Sequence, residues 1–298
     1  MSMILEGLNQ HAGDGVGTLP GADRAGQQSA TGSTERVARL REKLINTKPS
    51  LCSERGLIVT EAYATYAADP VVLRRARAFA QTLDQMSIYI DEGELIVGNQ
   101  ASAPRAAPLF PEYLVDFLSE EIDEFPGRTA DRFEVSPQVR ADILEKIVPA
   151  WRGKTLNDRV KSVMPGYLAD AQAMGIISGR GNITSGDGHI VLDLEKVITV
   201  GLEGIVAEAE QALASLSPYE AAEFKKRPFL RAAIITLQAA MRCAARFGNE
   251  AERQALLPET PVERQAELRQ IAAVCRQVPA RPARSFWEAL QSAYFVHL

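Results

Sequence analysis

Apolar residues along this chain recur mostly at the three-to-four spacing of a helix and seldom at the alternating spacing of a strand. From Thr34 onward, Glu35–Ile45 places Val37, Leu40, Leu44 and Ile45 on one stripe with charges opposite, which predicts an amphipathic helix. A second helix is expected over 54–67. A third runs to about Met86, with Asp69 as its N-cap and Pro70 at the first helical position, where a missing N–H costs nothing. Ser87–Asp91 and Glu94–Gly98 are short, β-branched and split by Gly93, so they read as a small strand or turn element. Ser136-Pro137 opens a later helix. Ser217-Pro-Tyr-Glu220, Thr260-Pro-Val-Glu263 and Ser285-Phe-Trp-Glu288 each carry the S/T-x-x-E capping box. Between Phe229 and Phe247, Leu230, Ile234, Leu237 and Met241 share one helical face. The pattern as a whole predicts a mainly α fold of about nine helices without a solenoid repeat.

Two stretches break that pattern. Residues 1–33 hold seven of the 21 glycines and little apolar periodicity, which reads as a disordered lead-in. Ser178–His189 packs four glycines into the eleven residues up to Gly188, together with Arg180, Asn182, Thr184, Ser185, Asp187 and His189. Glycine lets backbone adopt positive φ or approach a ligand closely, and these side chains form a dense set of donors and acceptors. The plain alternative is a solvated connector between helices. The spacing fits neither GxGxxG nor a P-loop, so a phosphate cradle is disfavoured.

Composition narrows the function classes. Of 298 residues, 46% are hydrophobic and 24% charged, enough to bury a sizeable core. Thirty-three basic against 38 acidic residues leave a net charge of -5, which gives no footprint for nucleic acid or an anionic membrane. Three cysteines (Cys52, Cys243, Cys275) and three histidines (His11, His189, His297), with no CxxC, argue against a disulfide framework or a metal cluster. They suit a cytoplasmic compartment. No run approaches the roughly 18 apolar residues of a membrane span, and no secretory h-region opens the chain. Cys243 and Cys275 read as small buried hydrophobes, and Cys52 has no histidine base nearby in sequence. Glu120–Glu124 reads as a solvated helix face. Glu112, just after Phe110-Pro111, reads as a carboxylate favoured by the positive end of a helix. His189 on its own is more often structural than functional, although imidazole can hold a substrate hydroxyl or carboxylate. The final segment from Ser285 is apolar and ends without a polar tail, so the chain is expected to stop inside a domain.

Taken in order, several landmarks resemble the N-terminal part of glycyl radical enzymes. They are Pro49-x-x-Cys-x-Glu-Arg55, Thr60-Glu-Ala-Tyr63, Arg74-Arg-Ala76, Glu94–Asn99, Phe110-Pro-Glu112, Gly188-His189 and Pro282 with Ser285-Phe-Trp-Glu-Ala289. The nearest branch is the pyruvate formate-lyase-like group of choline trimethylamine-lyase, diol and hydroxyproline dehydratases and isethionate sulfite-lyase. The resemblance covers residues 34–298 and implies the helical N-terminal portion of a ten-stranded α/β barrel, truncated here. It implies radical cleavage of a C–N, C–O, C–S or C–C bond in a small polar substrate. It further implies a homodimeric complete form whose glycyl radical is installed by a radical SAM activating enzyme. His189 is the first candidate to bind substrate, with Asp187, Thr184, Ser185 and Arg180 as weaker neighbours. The family's radical cysteine and radical glycine have no counterpart in this chain, so the resemblance assigns it no catalytic residue and no bound cofactor, and inactivity alone. A formate acetyltransferase-like enzyme and a non-catalytic helical scaffold are the competing readings.

Overall fold

A computed structural model describes residues 24–177 and 190–298, with side chains from residue 35 onward. Two compact units divide the chain at Lys43. The described part of the first belongs to helix α1 (Arg24–Asn46), so the helix predicted from Thr34 reaches back into the segment read as a lead-in.

In the second unit, strand β1 (Ser50–Cys52) leads into α2 (Glu54–Thr65) and α3 (Val71–Gln85). Strand β2 (Ala106–Pro108) pairs with β1 in parallel, Leu51 opposite Ala107. Short helices follow: α4 (Asp116–Glu121), α5 (Pro137–Ala141), α6 (Val148–Trp151), α7 (Leu156–Val163) and α8 (Gly166–Ala173). A π-helical stretch, Asp142–Ile147, joins α5 to α6. The later part holds α9 (Leu194–Ser215), α10 (Ala221–Phe224), α11 (Arg227–Ala255), α12 (Val262–Gln277) and α13 (Phe286–His297). The structure is mainly helical, as the pattern predicts. No helix of the described residues is long and apolar enough to cross a membrane.

Three clusters of buried side chains hold the unit together. The first gathers Leu51, Val59, Leu118, Phe125, Ile143, Ile147 and Trp151 around α2 and the π-helical stretch. The second packs Phe247, Ala251 and Ala255 of α11 against Leu268, Ile271 and Cys275 of α12, with Ile90 and Val97 laid across them. A small third one, Leu73, Ala76 and Ala232, joins α3 to α11. Large side chains buried in this way contribute about 2 kcal/mol each. At the α3–α11 seam alanines do the packing, because small side chains let two helix backbones come close.

Several local expectations change. Of the two readings of Ser87–Asp91 and Glu94–Gly98 the turn holds, with Glu94 N–H donating to the Asp91 carbonyl (3.2 Å), and no strand forms; the short strands are β1 and β2, whose three residues carry too little alternation to be seen. The buried face of α11 runs through Ala232, Ala239 and Phe247, while Leu230, Ile234, Leu237 and Met241 are only partly buried. Asp69 lies one residue outside α3, whose N-cap is Pro70, and its carboxylate is 3.2 Å from Arg77 Nε instead. Two capping boxes do not form. Ser217 N–H donates to Glu223 (2.7 Å), and Thr260 Oγ1 donates to the Gln254 carbonyl (2.7 Å), closing α11 instead of opening α12. Ser136 does cap α5, accepting from Val139 N–H, and a complete box appears at Thr155 with Asp158. Ser285 caps α13, but the Glu288 carboxylate turns back to Arg284.

Gly201 interrupts α9 with φ 77°. A Cβ there would lie 2.6 Å from the Ala280 carbonyl oxygen, and the N–H groups of Leu202 and Glu203 donate to Pro279 and Ala280. Both the conformation and the close approach of the 279–281 backbone require glycine.

Candidate functional site

The five side chains predicted to bind substrate, Arg180, Thr184, Ser185, Asp187 and His189, lie outside the described residues. On the carboxyl side of that stretch, α9 opens at Leu194, with Asp193 as N-cap accepting from Lys196 N–H at 3.0 Å. The described residues do bring together most of the other landmark motifs, at two places.

The first is built on Arg55. Strand β1 delivers the chain to α2, whose first turn carries Arg55, while Pro108 to Pro111 runs extended and turns at Glu112. Arg55 Nη1 donates to the Leu109 carbonyl (2.8 Å) and to Glu112 Oε2 (3.2 Å), and Nη2 donates to Glu112 Oε1 (2.5 Å). The guanidinium also lies 3.8 Å from the Phe110 ring centroid. In-plane bidentate pairing along one edge, with a ring stacked on one face, uses the planar charge of arginine as lysine cannot. The turn is held from behind, since Leu156 N–H donates to the Glu112 carbonyl and Asn157 N–H to that of Tyr113. Glu112 therefore precedes α4 and serves an ion pair, not a helix dipole.

This ion pair borders a groove of about 650 Å³ between α2, α3, α11 and the 110–113 turn. Tyr63, Tyr113 and Arg75 edge its polar end, and Val72, Phe79, Phe229 and Leu237 its apolar walls. Arg75 Nη2 donates to the Tyr113 hydroxyl at 3.1 Å. Burial pushes the Tyr63 hydroxyl pKa above its ordinary value, the Glu112 carboxylate adds to the shift, and Arg75 and Arg74 oppose it. Tyr63 also packs on Trp151 (4.8 Å between centroids), whose Nε1–H donates to Thr60 Oγ1 at 2.7 Å.

The second place fastens α13 to the 94–99 segment. Gln291 is fully buried, accepting from Val97 N–H (2.9 Å) and donating to the Val97 carbonyl (2.8 Å). Trp287 Nε1–H donates to the Leu95 carbonyl at 3.1 Å, and a Cβ on Gly98 would meet Leu298 and Tyr294.

The family model for pyruvate formate lyase-like proteins matches residues 30–298. The chain belongs to that family. The Escherichia coli (strain K12) protein called probable dehydratase YbiW is 35% identical over 266 residues, which is 89% of this chain and 33% of the relative. The isethionate sulfite-lyase of Nitratidesulfovibrio vulgaris is 33% identical over 275 residues, again 89% of this chain and 33% of the relative. Among solved structures, the glycerol-bound B12-independent glycerol dehydratase from Clostridium butyricum superposes with a TM-score of 0.84 at 32% identity, over 88% of this chain and 33% of that one. This pyruvate formate lyase-like chain thus spans about a third of the length of these relatives.

All three cysteines of this chain are free thiols. Cys52 is buried, its sulfur 3.3 Å from Ser102 Oγ. Burial raises the Cys243 thiol and pushes Cys275 up to about 12, both among the apolar side chains between α11 and α12.

Sequence reasoning quoted Arg55, Tyr63, Arg75, Phe110 and Glu112 as separate landmarks and gave them no joint role. Tyr113 carries no sequence signal, and Phe229 stands there only as the start of a helical stretch.

Proposed function

We propose that residues from about Thr34 to Leu298 act as the substrate-orienting N-terminal portion of a glycyl radical lyase or dehydratase working on a small polar substrate. The lead-in before Thr34 takes no part. His189 hydrogen-bonds the substrate, and Asp187, Thr184, Ser185 and Arg180 adjust its fit to one substituent pattern. Holding the reacting bond in one orientation is the contribution that such residues can make. The radical cysteine and glycine belong to sequence that this chain does not contain, together with the action of a radical SAM activating enzyme and pairing of two complete copies. A cytoplasmic site of action accords with the composition.

The observation that carries this reading is the family match over residues 30–298, with about 32% identity and a TM-score of 0.84 to a glycerol dehydratase. The chain has only three histidines, so their Cε1–H resonances can be followed one by one. Titration with glycerol, 1,2-propanediol, isethionate and trans-4-hydroxyproline is expected to move the His189 resonance saturably with at least one of them. His189→Ala identifies the signal. No saturable movement of that resonance with any of the four contradicts a substrate-orienting role.

A further inference from the structure

We infer that the groove between α2, α3 and α11 binds a small aromatic carboxylate. Its volume of about 650 Å³ lies within the range of small-molecule sites. The charge around its polar end is unbalanced. Glu112 is the carboxylate there, and both of its oxygens are taken by Arg55. Arg75 adds a guanidinium group to the lining that has no carboxylate partner among the described residues, and Arg74 lies behind Tyr63, outside the lining. Arg74 stacks over the Tyr63 ring at 5.1 Å, and Arg75 donates a hydrogen bond to the Tyr113 hydroxyl. A cationic ligand would meet this surplus positive charge, whereas an anion would offset it.

The hydroxyls are set up for the same ligand. Tyr113 accepts from Arg75 through a lone pair, which leaves its own proton free to donate outward. Tyr63, also lining the groove, has no hydrogen-bond partner among the described residues. A carboxylate with four lone-pair directions can take Arg75 and both hydroxyls at once.

The rest of the groove demands an apolar body. Val72, Phe79, Phe229 and Leu237 form its walls over a floor of Ala232 and Ala233. Phe79 and Phe229 are 44% and 64% exposed, and an aromatic ring placed between them removes apolar surface from water on both sides.

The test is calorimetric titration of the full chain with 3-phenylpropionate, compared with 3-phenylpropanol, which lacks the charge, and propionate, which lacks the ring. Saturable binding of 3-phenylpropionate at one site is expected, with both comparators at least about tenfold weaker. Arg75→Ala is expected to weaken binding roughly tenfold and Tyr113→Phe a few-fold, as loss of charged and neutral hydrogen bonds does. Ala233→Trp fills the groove and abolishes binding, with far-UV circular dichroism confirming that each variant folds. The inference is overturned if 3-phenylpropionate gives no saturable heat at millimolar concentration or if 3-phenylpropanol binds as tightly. It is equally overturned if folded Arg75→Ala and Ala233→Trp both bind like the parent. These measurements need neither a radical nor His189, so they stand or fall apart from the proposed function.

Discussion

Gln291 and Arg55 both fasten an irregular segment to a helix, and they do so under different exposure. Gln291 is fully buried and neutral, and its amide completes both backbone groups of Val97 as a neighbouring strand would. Arg55 and Glu112 keep 18% and 13% of their side chains exposed at the rim of an open groove. A buried polar group must find its partners within the protein, so the 94–99 contact is closed to solvent, with Gln291 giving its carbonyl oxygen and one amide N–H to Val97. A charged pair at a rim can share its field with solvent or a ligand. Next to it sit two tyrosine hydroxyls and two arginines whose donors are not all used. One contact holds the fold, and the other holds the fold while shaping a surface that can bind.

That contrast can be broken in graded steps. Gln291→Leu strands the N–H and C=O of Val97 without water and should cost about 3 kcal/mol in urea unfolding. Arg55→Met leaves Glu112 unpaired but able to draw water from the groove, so its expected cost is less, about 2 kcal/mol. Equal losses would erase the distinction between the closed and the open contact.

Acid should act on both regions more gently. Hydrogen bonds from the Arg284 side chain hold the Glu288 carboxyl below its usual range against the opposing effect of burial. Burial pushes Asp142 up, but Lys146, Ser53 and Gln138 together outweigh it and hold that carboxyl low as well. A carboxylate with a lowered folded-state pKa contributes stability above its unfolded pKa, and that contribution is lost as pH falls through the folded value. The urea midpoint should therefore be flat from pH 7 to about 5 and fall below about pH 4. Least affected should be Phe79→Ser, on the groove wall, which is expected to change stability by no more than about 0.5 kcal/mol while weakening any ligand held there.

Several helices of this fold were legible from their end signals: α3 begins just after Asp69-Pro70, and α13 at the Ser285 cap. The two strands were not, since three residues cannot display alternation. Capping signals misled at Ser217 and Thr260, where a competing partner took the group that a cap would use. The buried face of α11 escaped the periodicity because alanine, not leucine, lines it. For the groove, sequence order separates Arg55 from Glu112 by 57 positions and from Phe229 by still more, and only tertiary packing brings them together. The glycine-rich stretch and its His189 stand on sequence and family resemblance alone.

The central claim is that residues of this chain orient the substrate of a pyruvate formate lyase-like enzyme through His189. It is tested most directly by replacing the matching third of the Clostridium butyricum glycerol dehydratase with residues 34–298 and activating the chimera anaerobically. The account predicts turnover of a small polar substrate that falls at least about a hundredfold in kcat/KM with His189→Ala, while the glycyl radical signal in electron paramagnetic resonance persists. An active chimera in which His189→Ala retains both the radical signal and the parent's kcat/KM would contradict it.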